Sequence, residues 1–458
     1  MPFNRVLVAN RGEVAVRVIR ALHELDIEAV AVYSKADEAS MHVRMADRAV
    51  CIGPPAASES YLRIPSVVAA AATTGCEAVH PGWGFLAENP AFAEACSEND
   101  LVFVGPTPEV MARMGNKASA RDEMQAAGVP LVPGTGPVAL DEVARAAGDL
   151  GYPVLLKAAA GGGGKGMRLV SSPGEVEPLF AMAAAEAEAA FGDGSLYLEK
   201  AIDPARHVEI QVLGDSGGGI LTLGERECSI QRRHQKLIEE SPSLALDPGT
   251  REEMEATAEK AARAIGYTNA GTFEFLVGPD GRFYFIELNA RLQVEHPVTE
   301  MVTGLDLVHL QLRVAAGDAL PVTGRAERRG HAIEVRVNAE DPARDFMPMP
   351  GRLERFRPPL GPGVRVDTFV EDGASVPPHY DSLLAKVIAW ATDRELALAR
   401  CVRALNEFEV TGLPTTIGLA AEVIRSEAFA RGDYSTGYLD EHPPPEASDT
   451  VLLGSEAP

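Results

Sequence analysis

Two glutamates, Glu274 and Glu287, stand in a segment whose other residues are typical of a buried β-sheet. Runs rich in Phe, Tyr, Ile and Val flank residues 278–281 (GPDG), and an Asp-Gly pair between such runs predicts a β-hairpin. If the Asp-Gly pair forms a two-residue turn, Phe283 lies opposite Gly278, and counting outward places Glu287 directly across from Glu274. The sequence therefore predicts two carboxylates that face each other on adjacent strands.

Two opposed carboxylates repel each other, and burying either one without a partner costs several kcal/mol. The pair therefore needs a bound cation or a raised pKa. Because side chains alternate along a strand, Asn289 lies on the same face as Glu287. The oxygen ligands of Glu274, Glu287 and Asn289 suit Mg²⁺ or Mn²⁺, and Mg²⁺ usually also binds substrate phosphates. The alternative is an edge hairpin with solvated glutamates, against which the four phenylalanines of these strands argue.

A glycine-rich loop, Gly161 to Gly166, joins two β-like runs at 152–159 and 167–170. The loop matches GxGxxG, but a dinucleotide site would need a helix next, and a P-loop would need Lys and Ser or Thr after the last glycine. What remains is a hairpin whose backbone amides can approach phosphates closely, with Lys157 and Lys165 as charge partners. The alternative is a flexible loop without a ligand.

Lysine is scarce in this chain, with 8 Lys against 34 Arg, and five of the eight lie between residues 117 and 236. Lysine is a common point-charge partner of phosphates, so this quarter of the chain is a candidate anion site. The last part of this quarter, residues 206–236, is rich in His, Gln, Arg and Lys. A surface strand pair with solvated charges is the alternative, and for Arg232 and Arg233 it is the better interpretation.

Charge and cysteine usage exclude several classes of protein. With 42 basic and 66 acidic residues the formal charge is −24, which argues against nucleic acid or an anionic membrane as the main partner. The five cysteines form no CxxC pair, which indicates a reducing compartment. The first β-like run begins at Arg5, which leaves no room for a signal peptide, and no apolar run reaches the roughly 18 residues of a membrane helix. We expect a cytoplasmic protein.

The elements that must position these side chains fall into three parts. A βαβ unit at 5–33 begins a parallel α/β sheet that we expect to close near residue 113, and its first turn lacks the glycine spacing of a dinucleotide site. From 331 to 440, β-like runs and one long helix predict an α+β domain. The tail, 441–458, has three consecutive prolines and few large apolar residues, so we expect it to be disordered.

Four segments together resemble the biotin carboxylases of the ATP-grasp superfamily. In chain order they are HPGWGFLAEN (80–89), KAAAGGGGKGM (157–167), ERECSIQRRHQK (225–236) and ELNARLQVEHPVTE (287–300). The similarity runs from about residue 3 to 440. It implies a Rossmann-like N-terminal domain at 1–113, an ATP-grasp domain at 114–330 with a mobile glycine-rich lid at about 131–202, and a C-terminal α+β domain at 331–440.

The resemblance also implies an activity, that of an ATP-dependent carbon–nitrogen ligase. Such enzymes make carboxyphosphate from bicarbonate and MgATP and then carboxylate biotin carried on a protein. The chain has no Met-Lys-Met biotinylation motif and is too short for a transferase domain, so the biotin carboxyl carrier protein and the carboxyltransferase must be separate chains. A homodimer is the family expectation. FGDGSLYLEK, GERECSIQRR and RGDYSTGYLD look closest to acyl-CoA carboxylases of the acetyl-CoA or propionyl-CoA type, which serve fatty acid biosynthesis.

Site residues follow from the resemblance position by position. For ATP it implies Lys117, Lys157, Gly161, Gly162, Gly163, Gly164, Lys165, Gly166, Glu199, Lys200, His207, Gln231, His234, Glu274 and Glu287. For bicarbonate and biotin it implies Lys236, Arg291, Gln293, Val294, Glu295 and Arg336. Among these, Glu295 resembles the base that deprotonates bicarbonate, and Arg336 resembles the arginine that stabilises the biotin enolate. The chain departs from its relatives at Trp83, usually Tyr, and at Ala290, usually Thr or Ser.

Two other functions fit the same residues. A different ATP-grasp ligase, acting on another carboxylate, would keep the acid pair and the lysines but would not need Arg336. A catalytically silent nucleotide-binding or scaffolding subunit would tolerate replacement of Glu295 by Gln.

Overall fold

The computed structural model describes residues 3–159 and 167–444, apart from the side chains of Lys117, Ala118 and Phe191. The glycine loop, Gly161 to Gly166 with Lys165, lies outside the described residues, as does most of the tail expected to be disordered. No helix in the two described ranges is both long and apolar enough to cross a membrane.

The first part of the chain forms a five-stranded parallel sheet with strand order β3-β2-β1-β4-β5. Its elements are β1 (Arg5–Val8), α1 (Gly12–Glu24), β2 (Glu28–Ser34), α2 (Met41–Met45), β3 (Arg48–Gly53), α3 (Ile64–Thr74), β4 (Ala78–His80), α4 (Pro90–Glu98), β5 (Val102–Phe103) and α5 (Pro108–Gly115). The central strand is fully buried at Val6, Leu7 and Val8, as expected of a parallel sheet covered on both faces. The predicted α/β class is confirmed, and β3 is an additional strand.

A small four-stranded antiparallel sheet follows, with strand order β6-β9-β7-β8. Its segment contains α6 (Lys117–Ala126), β6 (Gly134–Val138), α7 (Leu140–Leu150), β7 (Val154–Ala158), β8 (Arg168–Val170), α8 (Val176–Phe191) and β9 (Leu196–Lys200). Helices α7 and α8 pack on it through Val143, Ala147 and Ala183. Strands β7 and β8 pair with each other, so the predicted strands on either side of the glycine loop are confirmed.

One large sheet with strand order β14-β13-β10-β11-β12-β16-β23-β21 contains most of the remaining strands. Up to residue 325 the elements are β10 (Arg206–Gly214), β11 (Ile220–Arg232), β12 (Gln235–Ser241), α9 (Pro248–Ile265), β13 (Asn269–Val277), β14 (Phe283–Asn289), α10 (His296–Thr303), α11 (Leu307–Ala315) and β15 (Gly324–Arg325). Strand β15 lies alongside β11.

The elements after residue 330 add to this sheet and cover it. They are β16 (His331–Asn338), β17 (Glu340–Asp341), β18 (Met347–Pro348), β19 (Gly351–Arg352), β20 (Arg355–Arg357), β21 (Val364–Thr368), β22 (Ser375–Val376), β23 (Leu383–Ala391), α12 (Arg394–Glu407), β24 (Glu409–Thr411), α13 (Ile417–Arg425), α14 (Glu427–Arg431) and α15 (Tyr438–Glu441). Because β16 pairs with β12, the sheet is continuous across residue 330, and side chains from both segments can meet on one face.

The predicted hairpin is confirmed, but its turn is wrong by one residue. The Gly278 N–H donates to the Arg282 carbonyl at 2.8 Å, so the loop has three residues, with Gly281 in the left-handed region at φ +77°. Val277 consequently faces Phe283, whereas the sequence had predicted Gly278 opposite Phe283. A bulge at Ile286 then shifts the register by one residue, and Glu274 faces Glu287 as predicted.

A buried carboxylate, Glu240 of β12, ties the last helices to the large sheet. Its oxygens lie 2.6 Å from His331 Nε2 and 2.7 Å from Arg394 Nε, and the Tyr434 hydroxyl donates to it. Burial alone would raise the pKa of Glu240, but the hydrogen bonds from His331 and Arg394 lower that pKa to about 2. A carboxyl with a depressed folded pKa contributes stability above its unfolded pKa of about 4.3 and loses this contribution as the pH falls towards the folded value.

We expect Glu240→Gln to lower the free energy of unfolding by about 3 kcal/mol at pH 7, because it removes one member of a buried ion pair. The difference from the unmodified protein should narrow at pH 3. Urea unfolding at the two pH values measures it, with Glu327→Gln, an exposed glutamate paired with Arg329, as the control. An equal loss at both pH values would contradict the assignment.

Candidate active site

One buried ammonium, that of Lys236, holds three carboxylates together. Its Nζ donates to Glu209 Oε2 at 2.5 Å, to Glu274 Oε1 at 2.8 Å and to Glu295 Oε1 at 2.6 Å. Lys236 stands on β12, Glu209 on β10 and Glu274 on β13, whereas Glu295 begins α10. The β11–β12 turn, with positive φ at residues 233 and 234, brings Lys236 back over the sheet.

The charges around Lys236 determine which carboxylates stay ionised. Burial would raise the pKa of Glu295, but Lys236 and Arg336 lower it well below the ordinary value. Burial opposes ionisation of Glu274 too, and Lys236 with His207 lowers its pKa. The pKa of Glu209 is raised, because burial outweighs the attraction of its cationic neighbours.

The acid pair lies beside this cluster. Glu209 faces Glu274 across β10 and β13, and Glu274 faces Glu287 across β13 and β14, so three glutamates form a row over three strands. Glu274 is 4 % exposed, whereas Glu287 reaches the surface. His207 Nε2 lies 3.0 Å from Glu274 Oε2, and Asn289 Nδ2 donates to Glu274 Oε1 at 2.8 Å. The sequence predicted that Glu274 needs either a cation beside it or a raised pKa. In the structure Lys236 and His207 are the neighbouring cationic groups, and the pKa of Glu274 is lowered.

The same groups fit a divalent cation by their chemistry. Glu274 and Glu287 stand in register on paired strands, and Asn289 is the next residue of β14 on the same face as Glu287. Carboxylate and amide oxygens are the ligands that Mg²⁺ and Mn²⁺ prefer. The predicted set of Glu274, Glu287 and Asn289 is therefore brought together.

The loop between β14 and α10 is held by Arg291. Its Nε donates to Glu88 Oε2 at 2.8 Å, Nη2 donates to Asn289 Oδ1 at 2.8 Å, and Nη1 donates to Gln293 Oε1 at 2.9 Å. Glu88 also accepts the backbone N–H of Ala290 at 2.9 Å, so the departure at Ala290 leaves a backbone contact intact. Four predicted residues of the bicarbonate pocket, Arg291, Gln293, Val294 and Glu295, follow one another in this loop.

Arg336 completes the environment of Glu295. Its Nη2 donates to Glu295 Oε2 at 2.9 Å and its Nε donates to Glu239 Oε1 at 2.6 Å. Glu295 therefore lies between two cations, Lys236 on one oxygen and Arg336 on the other. Burial and the charge of Glu295 raise the pKa of Glu239 to about 7, although Arg336 opposes the shift. The Glu295 carboxylate is an ionised group in a buried site.

Three of the predicted nucleotide residues, Lys157, Glu199 and Lys200, stand on β7 and β9 of the small sheet. Lys157 Nζ donates to Glu199, which also accepts from Arg121 Nη1 at 2.5 Å. Lys200 Nζ donates to the backbone carbonyls of Gly151 and Tyr152 at 2.7 and 3.1 Å. The side chain of Lys117 lies outside the described residues.

Two polar residues that resemble the adenine and ribose contacts follow on β11 and its turn. Gln231 is buried on β11. His234, in the turn, is exposed, and its pKa is lowered by partial desolvation and by the charges of Lys157 and His207. Arg232 and Arg233 pair with Asp345 at 2.6 and 3.0 Å, away from Lys236.

Several residues of the site have no assigned role in the sequence prediction. Glu209 and Arg226 lie in the polar segment 206–236 and were given no individual roles, yet Arg226 is fully buried and donates to Glu209 at 2.5 Å. Glu88 lies in the segment 80–89 that carries the resemblance, which is a signal that could have found it. The pairing of β10 with β13 is not local, so no count along the hairpin could place Glu209 beside Glu274.

Trp83 stands apart from the Lys236 cluster. It lines a cavity of about 150 Å³ together with Arg11, Phe369 and Tyr380. Its indole Nε1 is buried and has no hydrogen-bond partner within the described parts of the chain. A tyrosine at this position would present a hydroxyl, so the replacement changes the polar lining of this cavity.

Comparisons with known proteins agree with this geometry. Three family models match the chain: the biotin carboxylase N-terminal domain over residues 2–111, the carbamoyl-phosphate synthase L chain ATP binding domain over 116–323, and the biotin carboxylase C-terminal domain over 334–441. A biotin carboxylase of Nostoc sp. is 53 % identical over 444 residues, which cover 96 % of this chain and 99 % of that protein.

Two solved structures are similar over nearly the whole chain. The biotin carboxylase of Campylobacter jejuni, in a β,γ-ATP complex, has a TM-score of 0.92 and 46 % identity, covering 96 % of this chain and 99 % of the other. The biotin carboxylase domain of 2-oxoglutarate carboxylase from Hydrogenobacter thermophilus, with MgADP and bicarbonate, has a TM-score of 0.91 and 47 % identity, covering 96 % and 98 %. The resemblance found in the sequence is confirmed: the chain belongs to the biotin carboxylase family.

Proposed function

We propose that the chain carboxylates biotin on a separate carrier protein, using bicarbonate and MgATP through carboxyphosphate. The observation that carries this proposal is the Glu295 carboxylate, buried and held ionised between Lys236 and Arg336. Family membership and the ADP and bicarbonate of the Hydrogenobacter thermophilus structure support the substrates. A carboxylate kept ionised in a buried site can serve as a general base.

Glu295 is the proposed base for bicarbonate. Bicarbonate is a poor nucleophile, so its proton must be removed as its oxygen attacks the terminal phosphate. Lys236 and Arg291 are the cations that would hold the other oxygens, and Gln293 with the backbone of Val294 would complete the pocket. The network that links Arg291 to Glu88, Asn289 and Gln293 restricts this loop before substrate binds, which reduces the entropy lost in reaching a reactive geometry.

The phosphate grip is proposed for Lys117, Lys157, Lys165 and the glycines from Gly161 to Gly166. Phosphoryl transfer depends mainly on positioning and on neutralising charge, a task that lysines and backbone amides can perform. Glu199, Lys200, His207, Gln231 and His234 are the proposed neighbours of adenine and ribose. Glu274, Glu287 and Asn289 would hold Mg²⁺, which supplies charge neutralisation for the phosphates when bound.

Arg336 is the proposed partner of the biotin enolate. The enolate is an oxyanion, and a guanidinium that is already fixed in place is a suitable donor for it. Glu239 and Glu295 fix Arg336 here at 2.6 and 2.9 Å. The proposed base and the biotin enolate would therefore share one guanidinium.

Turnover of the purified protein tests the proposal. In the presence of Mg²⁺, ATP and bicarbonate, free biotin should increase the rate of ADP release. An ADP release rate that free biotin does not increase would contradict the proposed carboxylation of biotin. Arg336→Ala should lower the biotin-stimulated rate about 100-fold, because a preorganised oxyanion donor is lost. Another ATP-grasp ligase would show little change.

Arg232→Ala is the matched control for that variant. Arg232 and Arg336 are both 16 % exposed, and each pairs with a carboxylate at 2.6 Å. The control should keep the biotin-stimulated rate within about threefold, because Arg232 pairs with Asp345 and not with Glu239 or Glu295.

The proposal extends to the protein that carries biotin and to the compound that finally receives the carboxyl group. We propose a separate biotin carboxyl carrier protein and carboxyltransferase, an acetyl-CoA or propionyl-CoA acceptor, a cytoplasmic location and a homodimer. The three short segments that resemble acyl-CoA carboxylases support the acceptor, and an oxo-acid is the alternative because one similar structure is a 2-oxoglutarate carboxylase domain. Identification of the biotinylated protein that co-purifies with this chain distinguishes them: a transferase specific for an oxo-acid would contradict the acyl-CoA acceptor.

A further inference from the structure

A second buried lysine, Lys386, lies behind the loop that carries Glu295. It stands on β23 and its side chain is fully buried. Its Nζ donates to the Val294 carbonyl at 2.9 Å and lies 3.0 Å from Glu13 Oε1 and 3.8 Å from Asp367 Oδ2. An ammonium without solvent is costly to bury unless it is paired and hydrogen-bonded, and these three partners meet that requirement.

The register of the large sheet places Lys386 next to the groups that surround Glu295. Lys386 faces Arg336 on β16 and Asp367 on β21, so the three side chains form a row on one face. Arg336 contacts the carboxylate of Glu295, whereas Lys386 contacts the peptide that leads into it. The base is therefore held at its side chain by Lys236 and Arg336 and at its backbone by Lys386.

The partners of Lys386 come from distant parts of the chain. Glu13 lies in the first turn of α1, Val294 in the loop before α10, and Asp367 on β21. Apart from its pairing with Lys386, Glu13 has no hydrogen-bond partner within the described residues. The ion pair thus joins α1 to the strand that supports the Glu295 loop.

We propose that Lys386 is a positioning residue for the reaction, which sets the place of Glu295 by holding the Val294 carbonyl. This inference rests on the proposed role of Glu295 as the base. A displacement of about 1 Å in a reacting group can lower a rate about 100-fold, so a single backbone hydrogen bond at this place affects turnover. Lys386 itself touches no reacting atom.

The test compares two variants that both break the ion pair. Glu13→Gln removes the carboxylate but leaves the bond from Lys386 to Val294, whereas Glu13→Gln combined with Lys386→Met removes both charges together. The double variant leaves no unmatched carboxylate at Asp367, which keeps its contact with Arg365 at 2.6 Å. It therefore avoids the uncompensated charge that Lys386→Met alone would bury.

Steady-state kinetics with ATP, bicarbonate and free biotin give the result. We expect Glu13→Gln to keep kcat within about threefold, and the double variant to lose a further factor of about 30 in kcat while its KM for ATP stays within about threefold. The inference is overturned if the two variants have the same kcat. Lys260→Met, an exposed lysine on α9, controls for loss of a lysine.

A failure of the proposed function is distinguishable from a failure of this inference. If the unmodified protein shows no biotin-stimulated ADP release, the function is wrong. If the unmodified protein is active and the double variant keeps the kcat of Glu13→Gln, only the role of Lys386 is wrong.

Discussion

Replacement of Glu295 by Gln should lower biotin-stimulated ADP release by about 1000-fold, within the range that a general base contributes. The amide has nearly the same shape as the carboxylate, but it cannot accept the proton of bicarbonate. Nucleotide binding should stay within about threefold, because Glu199 pairs with Lys157 and Arg121, whereas Glu295 pairs with Lys236 and Arg336. Coupled ADP assays and titration with a fluorescent nucleotide measure the two effects.

A buried glutamate elsewhere provides the control for this substitution. Glu255 on α9 is 1 % exposed and pairs with Arg328 at 2.5 Å. Glu255→Gln removes a similar buried charge and should cost stability, while kcat stays within about threefold. A rate for Glu295→Gln above one tenth of the unmodified value would contradict the role of the base.

Replacement of Lys236 by Met should have a comparable effect on the rate and an additional effect on stability. It leaves three carboxylates, Glu209, Glu274 and Glu295, without the ammonium that they share. Removing one partner from a buried ionic cluster costs about 3 to 5 kcal/mol. Protonation of the carboxylates would reduce this cost, but a protonated Glu295 is not a base. We expect a rate at least about 1000-fold lower, together with a lower free energy of unfolding.

The conservative replacement Lys236→Arg separates the two effects. The planar guanidinium keeps the charge but is larger than the ammonium, so the free energy of unfolding should fall by about 1 to 3 kcal/mol, less than for Lys236→Met. It cannot reproduce the three donors that converge from one nitrogen, and the rate should fall by about 10- to 100-fold. Urea unfolding and the ADP assay measure both quantities. If Lys236→Met retained activity, Lys236 would have no part in the reaction.

The sequence alone predicts those parts of the site that depend on local order. Glu274 and Glu287 are thirteen residues apart in one hairpin, and the two-residue turn predicted from the sequence opposed them only because the longer loop and the bulge at Ile286 cancel. The basic residues from Arg206 to Lys236 stand on consecutive strands, β10 to β12, and were recognisable as a cluster. The βαβ start and the glycine loop between two strands follow from hydrophobic periodicity.

The remainder depends on contacts between distant segments. Arg336 and Glu239 meet because β16 pairs with β12, and Lys386 reaches Glu13 across most of the chain. No periodicity in a short window encodes such pairs. The roles of Glu295 and Arg336 came from the resemblance, whereas the second lysine behind the loop became visible only through its buried hydrogen bond to Val294.

The hairpin that carries Glu274 and Glu287 differs from the predicted regular hairpin at two places, and the two differences cancel in the count of residues between the acids. Its loop is one residue longer than a two-residue turn, and the extra residue at Ile286 restores the phase of the strand. The pairing of the two strands is fixed at Val277–Phe283 and at Glu274–Glu287, so the loop can change length in related chains without moving the acid pair as long as those pairs are kept. The number of residues between the two glutamates is therefore a poor guide to the register of the hairpin, since it changes with the loop while the acids still face each other.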